Sequence, residues 1–241
     1  IFPPKDITLP DNVAIMVAAP HIKARSPDYN DQQYYQLLND WNKRVDRLYV
    51  WGYYNMPQWN NWNLFPDIVP HRIGGVMTRL RKIGVDGFFF MPNRGHATPR
   101  GFWTWIYNPA MSHMNYYFTL KLLRNSDQPV AHLLDDYYRR FYGPASGSMQ
   151  SFFELLEDTY LSQALLPDSG SPSGLDERES WAIYCPPGRL ERFRNLIEAA
   201  RKQARGHDPY EERVELMYEA VYRYMECNSR EFRDSTAGRA E

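Results

Sequence analysis

Three short apolar runs, separated from one another by helical patterns, constrain this chain most. Residues 13–19 (VAIMVAA) are continuously apolar, as a strand covered on both faces must be. Residues 48–54 (LYVWGYY) and 85–91 (VDGFFFM) repeat the theme. Between the first two, residues 34–45 set Leu37, Leu38, Trp41 and Val45 on one side of a predicted helix. Between the second and third, residues 68–83 carry Ile73, Val76, Met77 and Leu80 as an apolar stripe, with Gly84 as its cap. Strand, helix, strand, helix, strand is the order of parallel βα units, so the fold class is α/β. Three strands cannot close a barrel. They fit a small open sheet or the last part of a larger one.

In both arrangements the chemistry belongs on the loops that follow the strands' carboxyl ends. Those loops are residues 20–31, 55–67 and 92–109. Downstream the pattern turns helical. Residues 111–123 form one predicted helix. Asp127 or Gln128 can cap the next, with Pro129 in its first turn and Gly143 at its end. Residues 146–165 continue with Phe152, Leu155, Leu156 and Leu165 as core, and residues 167–174 are a Pro/Gly/Ser-rich loop. Residues 190–204 and 210–224 repeat a helical apolar period, and the polar tail after Asn228 is expected to fray. The expected division is therefore 1–109 for the βα part and 110–241 for the helical part.

Charge narrows the partners. The 28 basic and 29 acidic residues nearly cancel, leaving no footprint for a polyanion, so nucleic acid is not expected. No apolar run approaches the roughly 18 residues of a membrane span. The chain opens IFPPKD, without Met or a charged-then-apolar leader, and reads as a processed chain or a piece of a longer one. Cys185 and Cys227 match no metal or redox spacing and read as structural thiols, with a disulfide between them as the alternative. The histidines are scattered, with no metal-ligand spacing, no phosphate loop and no nucleophile elbow, so no cofactor or metal is expected.

The candidate binding residues follow the strands. Trp51 and Tyr53 alternate onto one face at the end of the second run. That face is either sugar-facing or an ordinary hydrophobic layer. Asn55, Asn60 and Asn61 lie beside Trp59 and Trp62 in the next loop. Flat rings cover the C–H face of a sugar, and amides meet its hydroxyls as donors and acceptors. His21 follows the first strand as a hydroxyl ligand or as a loop histidine without a task. The segment PNRGHATPRGFWTW brings Asn93, Arg94, His96, Arg100, Trp103 and Trp105 directly after the third strand. Either arginine suits an acidic sugar or a carboxylate; alternatively the tryptophans seal the strand end.

Glycosidic hydrolysis generally requires two carboxyl groups, about 5–5.5 Å apart in retaining enzymes and wider in inverting ones. None of the three loops carries a Glu. Asp86 lies within the third run and Asp67 reads as a cap. Asp135 and Asp136 face Arg139 and Arg140 at helical spacing, and Glu157 and Asp158 read as surface residues. A complete catalytic pair is not expected within this chain.

From residue 115 to residue 156 the sequence (YYFTLKLLRNSD, VAHLLDDYYRRFYGPAS, MQSFFELLE) resembles bacterial proteins that carry the uncharacterised domain 4838, some of them assigned to glycoside hydrolase family 163. Upstream, LLNDWNKRVDRLYVWGYYNMP and MTRLRKIGVDGFFFM resemble the family's last helices and strands. The resemblance implies a partial (β/α)8 TIM barrel, its last three βα units, followed by an α-helical region. It implies activity on GlcNAc-type, amino-sugar-containing glycans, a secreted, periplasmic or cell-surface parent protein, and catalytic acids that precede Ile1. This chain would then need that preceding part as a partner, with a carbohydrate as ligand. Trp51 and Tyr53 carry over as a subsite wall and Asn93 as a hydroxyl ligand. Gly52 and Met91-Pro92 stand where relatives often have acids. That departure favours a non-catalytic, glycan-binding or structural protein of the same fold.

Overall fold

The computed structural model describes residues 2–19, 31–52, 65–66, 68–90, 97–98, 101–102, 109–162 and 177–237. A mixed α/β chain emerges, mostly helical, with a small parallel sheet. Strands β1 (Ala14–Ala19), β2 (Arg47–Gly52) and β3 (Gly87–Phe90) lie side by side in the order β1-β2-β3. Both pairings are parallel, with Met16 opposite Tyr49, Ala18 opposite Trp51, Tyr49 opposite Gly87 and Trp51 opposite Phe89. Helices α1 (Asp31–Asn42) and α2 (Pro70–Ile83) make the two crossovers. A separate two-residue hairpin pairs β4 (Ala97–Thr98) with β5 (Gly101–Phe102).

The two faces of the parallel sheet differ. Leu48 and Val50 are fully buried, and Ile15, Val17 and Phe88 pack onto the same core. The opposite face carries Met16, Ala18, Tyr49, Trp51 and Phe89, where Met16 is 49% and Phe89 43% exposed. The apolar runs therefore predict the strands, whereas burial on both faces does not hold for β1, whose alternate residues are exposed.

Gly84 ends α2 in the left-handed region at φ 95°, as its position after the apolar stripe predicts. Its N–H donates to the Arg81 carbonyl (2.9 Å), and the Val85 N–H donates to that of Leu80 (3.1 Å). A clasp then aligns β3 with β2. The Asp86 N–H donates to the Leu48 carbonyl and the Asp86 carboxylate accepts from the Leu48 N–H, both at 2.8 Å. Asp86 thus fixes strand register at the amino end of the sheet, away from the loops expected to carry chemistry.

The rest is helical: α3 (Pro109–Arg124), α4 (Val130–Tyr142), α5 (Ser146–Leu161), α6 (Glu177–Tyr184), α7 (Pro187–Ala204), α8 (Tyr210–Met217) and α9 (Arg223–Ala237). A π-helical turn, Tyr218–Tyr222, joins α8 to α9. The α4 N-cap is Pro129, not Asp127 or Gln128: its extended backbone (φ −61°, ψ 125°) sets up the first turn without a side-chain cap. Gly143 stops α4 at φ 51°, beside the Tyr210 ring, which an added methyl would approach within 2.5 Å. The tail past Asn228 remains helical to Ala237. Ser229 is buried, and its hydroxyl donates to the Cys185 carbonyl (3.1 Å), so a polar face there meets a polar partner rather than fraying.

One continuous hydrophobic core runs from Tyr35 on α1 to Met225 on α9. Phe65, between β2 and α2, lies flat on Tyr184 of α6, with centroids 4.6 Å apart and planes 8° off parallel. It also approaches Trp181 and Phe193. Cys185 is buried and Cys227 half-buried, and both are free thiols.

Candidate functional site

Parallel strands direct their carboxyl ends to one rim, and β2 brings Trp51 there. Its backbone alternation puts Leu48, Val50 and Gly52 toward the helices and Tyr49 and Trp51 toward the opposite face. Trp51 meets Phe89 of β3 edge-on, with centroids 4.7 Å apart. Such pairs are favoured because the ring edge is electropositive and the ring face electronegative. One row below, Gly87 leaves space for the Tyr49 ring, which would lie 2.8 Å from any methyl added there. Met16, Tyr49, Trp51 and Phe89 so make an apolar, ring-bearing surface, partly open to solvent. Of the residues expected to bind ligand, Trp51 lies on this face. His21, Tyr53, Asn55, Trp59, Asn93, Arg94, His96 and Trp103 lie outside the described residues.

A polar centre at the amino end of α2 is invisible to sequence periodicity. Helix α2 begins at the end of the segment that follows β2, and its amino end meets side chains from two later helices. Asn115 of α3, fully buried, accepts the Val69 N–H at 3.0 Å. Glu157 of α5 accepts the N–H groups of His71 (3.1 Å) and Arg72 (3.2 Å). Its other carboxylate oxygen lies 2.7 Å from Nδ1 of His71. Glu157 is 4% exposed, so the expectation that it decorates the surface is overturned. A buried carboxylate needs that many donors, and a helix amino end supplies them together with a favourable dipole. The hydrogen bond to Glu157 raises the His71 pKa above its ordinary 6.5, against the opposing effect of burial, and the charges of Glu157, Glu154 and Asp158 raise it further.

Other acids are engaged in structural pairs. Of the two acids expected to pair there, Asp136 binds Arg140 and Arg139 at 2.7 and 2.9 Å on the exposed side of α4, and these partners lower its pKa. Glu226 holds Arg194 (2.8 Å) and accepts the Tyr222 hydroxyl (2.9 Å). Among the described residues, no group of three or more His, Cys, Asp or Glu side chains gathers as metal ligands. No helix among them is long and apolar enough to cross a membrane.

A small parallel sheet with a helical continuation, carrying rings at its carboxyl rim, defines the class structurally. The family follows from comparison with known proteins. A family model described as "Domain of unknown function (DUF4838)" matches residues 1–154, more than half of the chain, and this chain belongs to that family. No curated protein and no solved structure matches it. The match spans the sheet, α1 to α4 and the first half of α5, while α6 to α9 lie beyond it.

Proposed function

We propose that residues 1–109 are the last three βα units of a (β/α)8 barrel and residues 110–241 the helical region that packs on it, within a glycoside hydrolase-like protein acting on GlcNAc-type, amino-sugar-containing glycans. The observation that carries this reading is the ring-bearing sheet face that ends at Trp51. Parallel sheets are normally covered on both sides, and in barrels the face away from the helices is the inner one. Met16, Tyr49, Trp51 and Phe89 would then line the barrel interior, with Trp51 and Phe89 in the row nearer the carboxyl rim. The loops that follow the strands would add His21, Tyr53, Asn55, Trp59, Asn93, Arg94, His96 and Trp103 as sugar-contacting groups. This chain would supply binding loops, and the acidic pair would come from residues before Ile1. The parent protein would be an exported or cell-surface bacterial protein.

A second reading, a glycan-binding protein without catalysis, is favoured by Gly52 and Met91-Pro92, which are not acids at positions where the resemblance would place them. Titration with a β-linked GlcNAc oligosaccharide, followed by product analysis, separates the two. Binding that Trp51→Ala weakens in a folded protein supports the subsite. Cleavage by the protein together with its preceding segment supports the hydrolase, and binding without cleavage supports the second reading. Equal binding by wild type and Trp51→Ala overturns the subsite.

A further inference from the structure

We propose that His71 and Glu157 form a proton-linked clamp between the sheet layer and the helical region, one that tightens on acidification. The geometry carries it. Glu157 belongs to α5 and His71 to α2, 86 residues earlier, and the carboxylate holds two main-chain amides and the imidazole at once. The Glu157 side chain is 5% exposed whereas that of His71 is 53% exposed, so a buried acid faces a base that solvent protons can reach. A buried carboxylate without a compensating cation is costly, and a protonated imidazole supplies that cation at 2.7 Å.

The charged neighbours act in the same direction. From α5, Glu154, Glu157 and Asp158 all face His71 and favour its cationic form. From α4, burial holds Tyr138 in its neutral form, and the charges of Glu154 and Glu157 act the same way. From α3, neutral Asn115 holds the adjoining Val69 amide. On α2 itself, Arg72 follows His71 and gives its amide to Glu157.

Because the fold favours protonated His71, the stabilisation is fully present below pH 6.5, the ordinary value. It is lost as pH rises through the higher folded-state value. The clamp also fixes the amino end of α2, where the carboxylate holds the His71 and Arg72 amides.

The test compares wild type with His71→Gln by urea unfolding from pH 5.5 to 8.5, alongside an NMR titration of the wild-type imidazole. The ratio of the two proteins' unfolding constants is expected to be largest below pH 6.5 and to shrink as pH rises, by about tenfold for each unit the folded titration lies above the unfolded one. The His71 and Arg72 amides are expected to lose hydrogen-exchange protection in the variant, most strongly at acid pH. Parallel stability profiles, or a wild-type His71 midpoint at or below 6.5, overturn the proposal. If His71→Gln fails to fold, the wild-type titration alone decides.

Discussion

Phe65 lies flat against Tyr184, ring over ring at 4.6 Å, although one leads into α2 and the other ends α6. This stack joins the sheet layer to helices that lie beyond the matched family region. Phe65 is 2% and Tyr184 0% exposed, so neither ring can move into water without opening the core. Phe65→Ala is expected to cost about 3–5 kcal/mol, the usual penalty for emptying a buried aromatic site. Thermal and urea unfolding of the variant check this. A loss below about 1 kcal/mol would show that the helices hold together without the ring.

Two adjacent glycines in α2 should respond in opposite ways. A methyl on Gly74 would overlap Val130 Cγ2 of α4, whereas a methyl on Gly75 meets nothing within 4 Å. Gly75→Ala therefore gains helix propensity and is expected to stabilise by about 0.5–1 kcal/mol. Gly74→Ala forces α2 and α4 apart and is expected to cost about 1–3 kcal/mol. Adding Val130→Ala should recover part of that loss, since residues in contact do not act additively. Urea midpoints of the four proteins give the answer, and destabilisation by both glycine changes would rule out the packing account.

The elements that were legible in the sequence owe their form to nearby residues. The three apolar runs mark the strands, and Gly84 and Gly143 mark helix ends, because a left-handed backbone suits glycine at those points. Trp51 was legible as a ring on an alternating strand. Glu157 was not. It sits next to Asp158 and three residues from Glu154 on α5, and what holds it inside is a pair of amides more than 80 residues away. Ser229 misled for the same reason: a polar side chain looks exposed until its distant partner, the Cys185 carbonyl, is known. His21, Tyr53, Asn55, Trp59, Asn93, Arg94, His96 and Trp103 lie outside the described residues.

The two thiols should differ in reactivity. Burial pushes the Cys185 thiol up to about 12, far from the thiolate form that reacts, despite the opposing charges of Arg189 and Arg233. Cys227 is half-buried on α9. Alkylation of the native protein near pH 8 is expected to label Cys227 first and Cys185 only after denaturant is added. Peptide mass spectrometry reads both sites. Equal native labelling would mean that α6 and α9 separate readily.

The unequal faces of the sheet make the sharpest structural prediction. Met16 and Val50 both belong to the parallel strands, but Met16 is 49% exposed and Val50 is 0% exposed. Met16→Lys keeps its charge in water and is expected to change stability by no more than about 0.5 kcal/mol. Val50→Asp places a carboxylate in the hydrophobic core, which should cost more than about 4 kcal/mol. Circular dichroism during urea titration compares the two. If the chain forms the end of a barrel, Met16→Lys acquires a second phenotype. The same lysine, harmless in this chain alone, should destabilise the chain joined to its preceding strands, because the face it occupies becomes interior. A lysine tolerated equally in both would place this face outside the barrel.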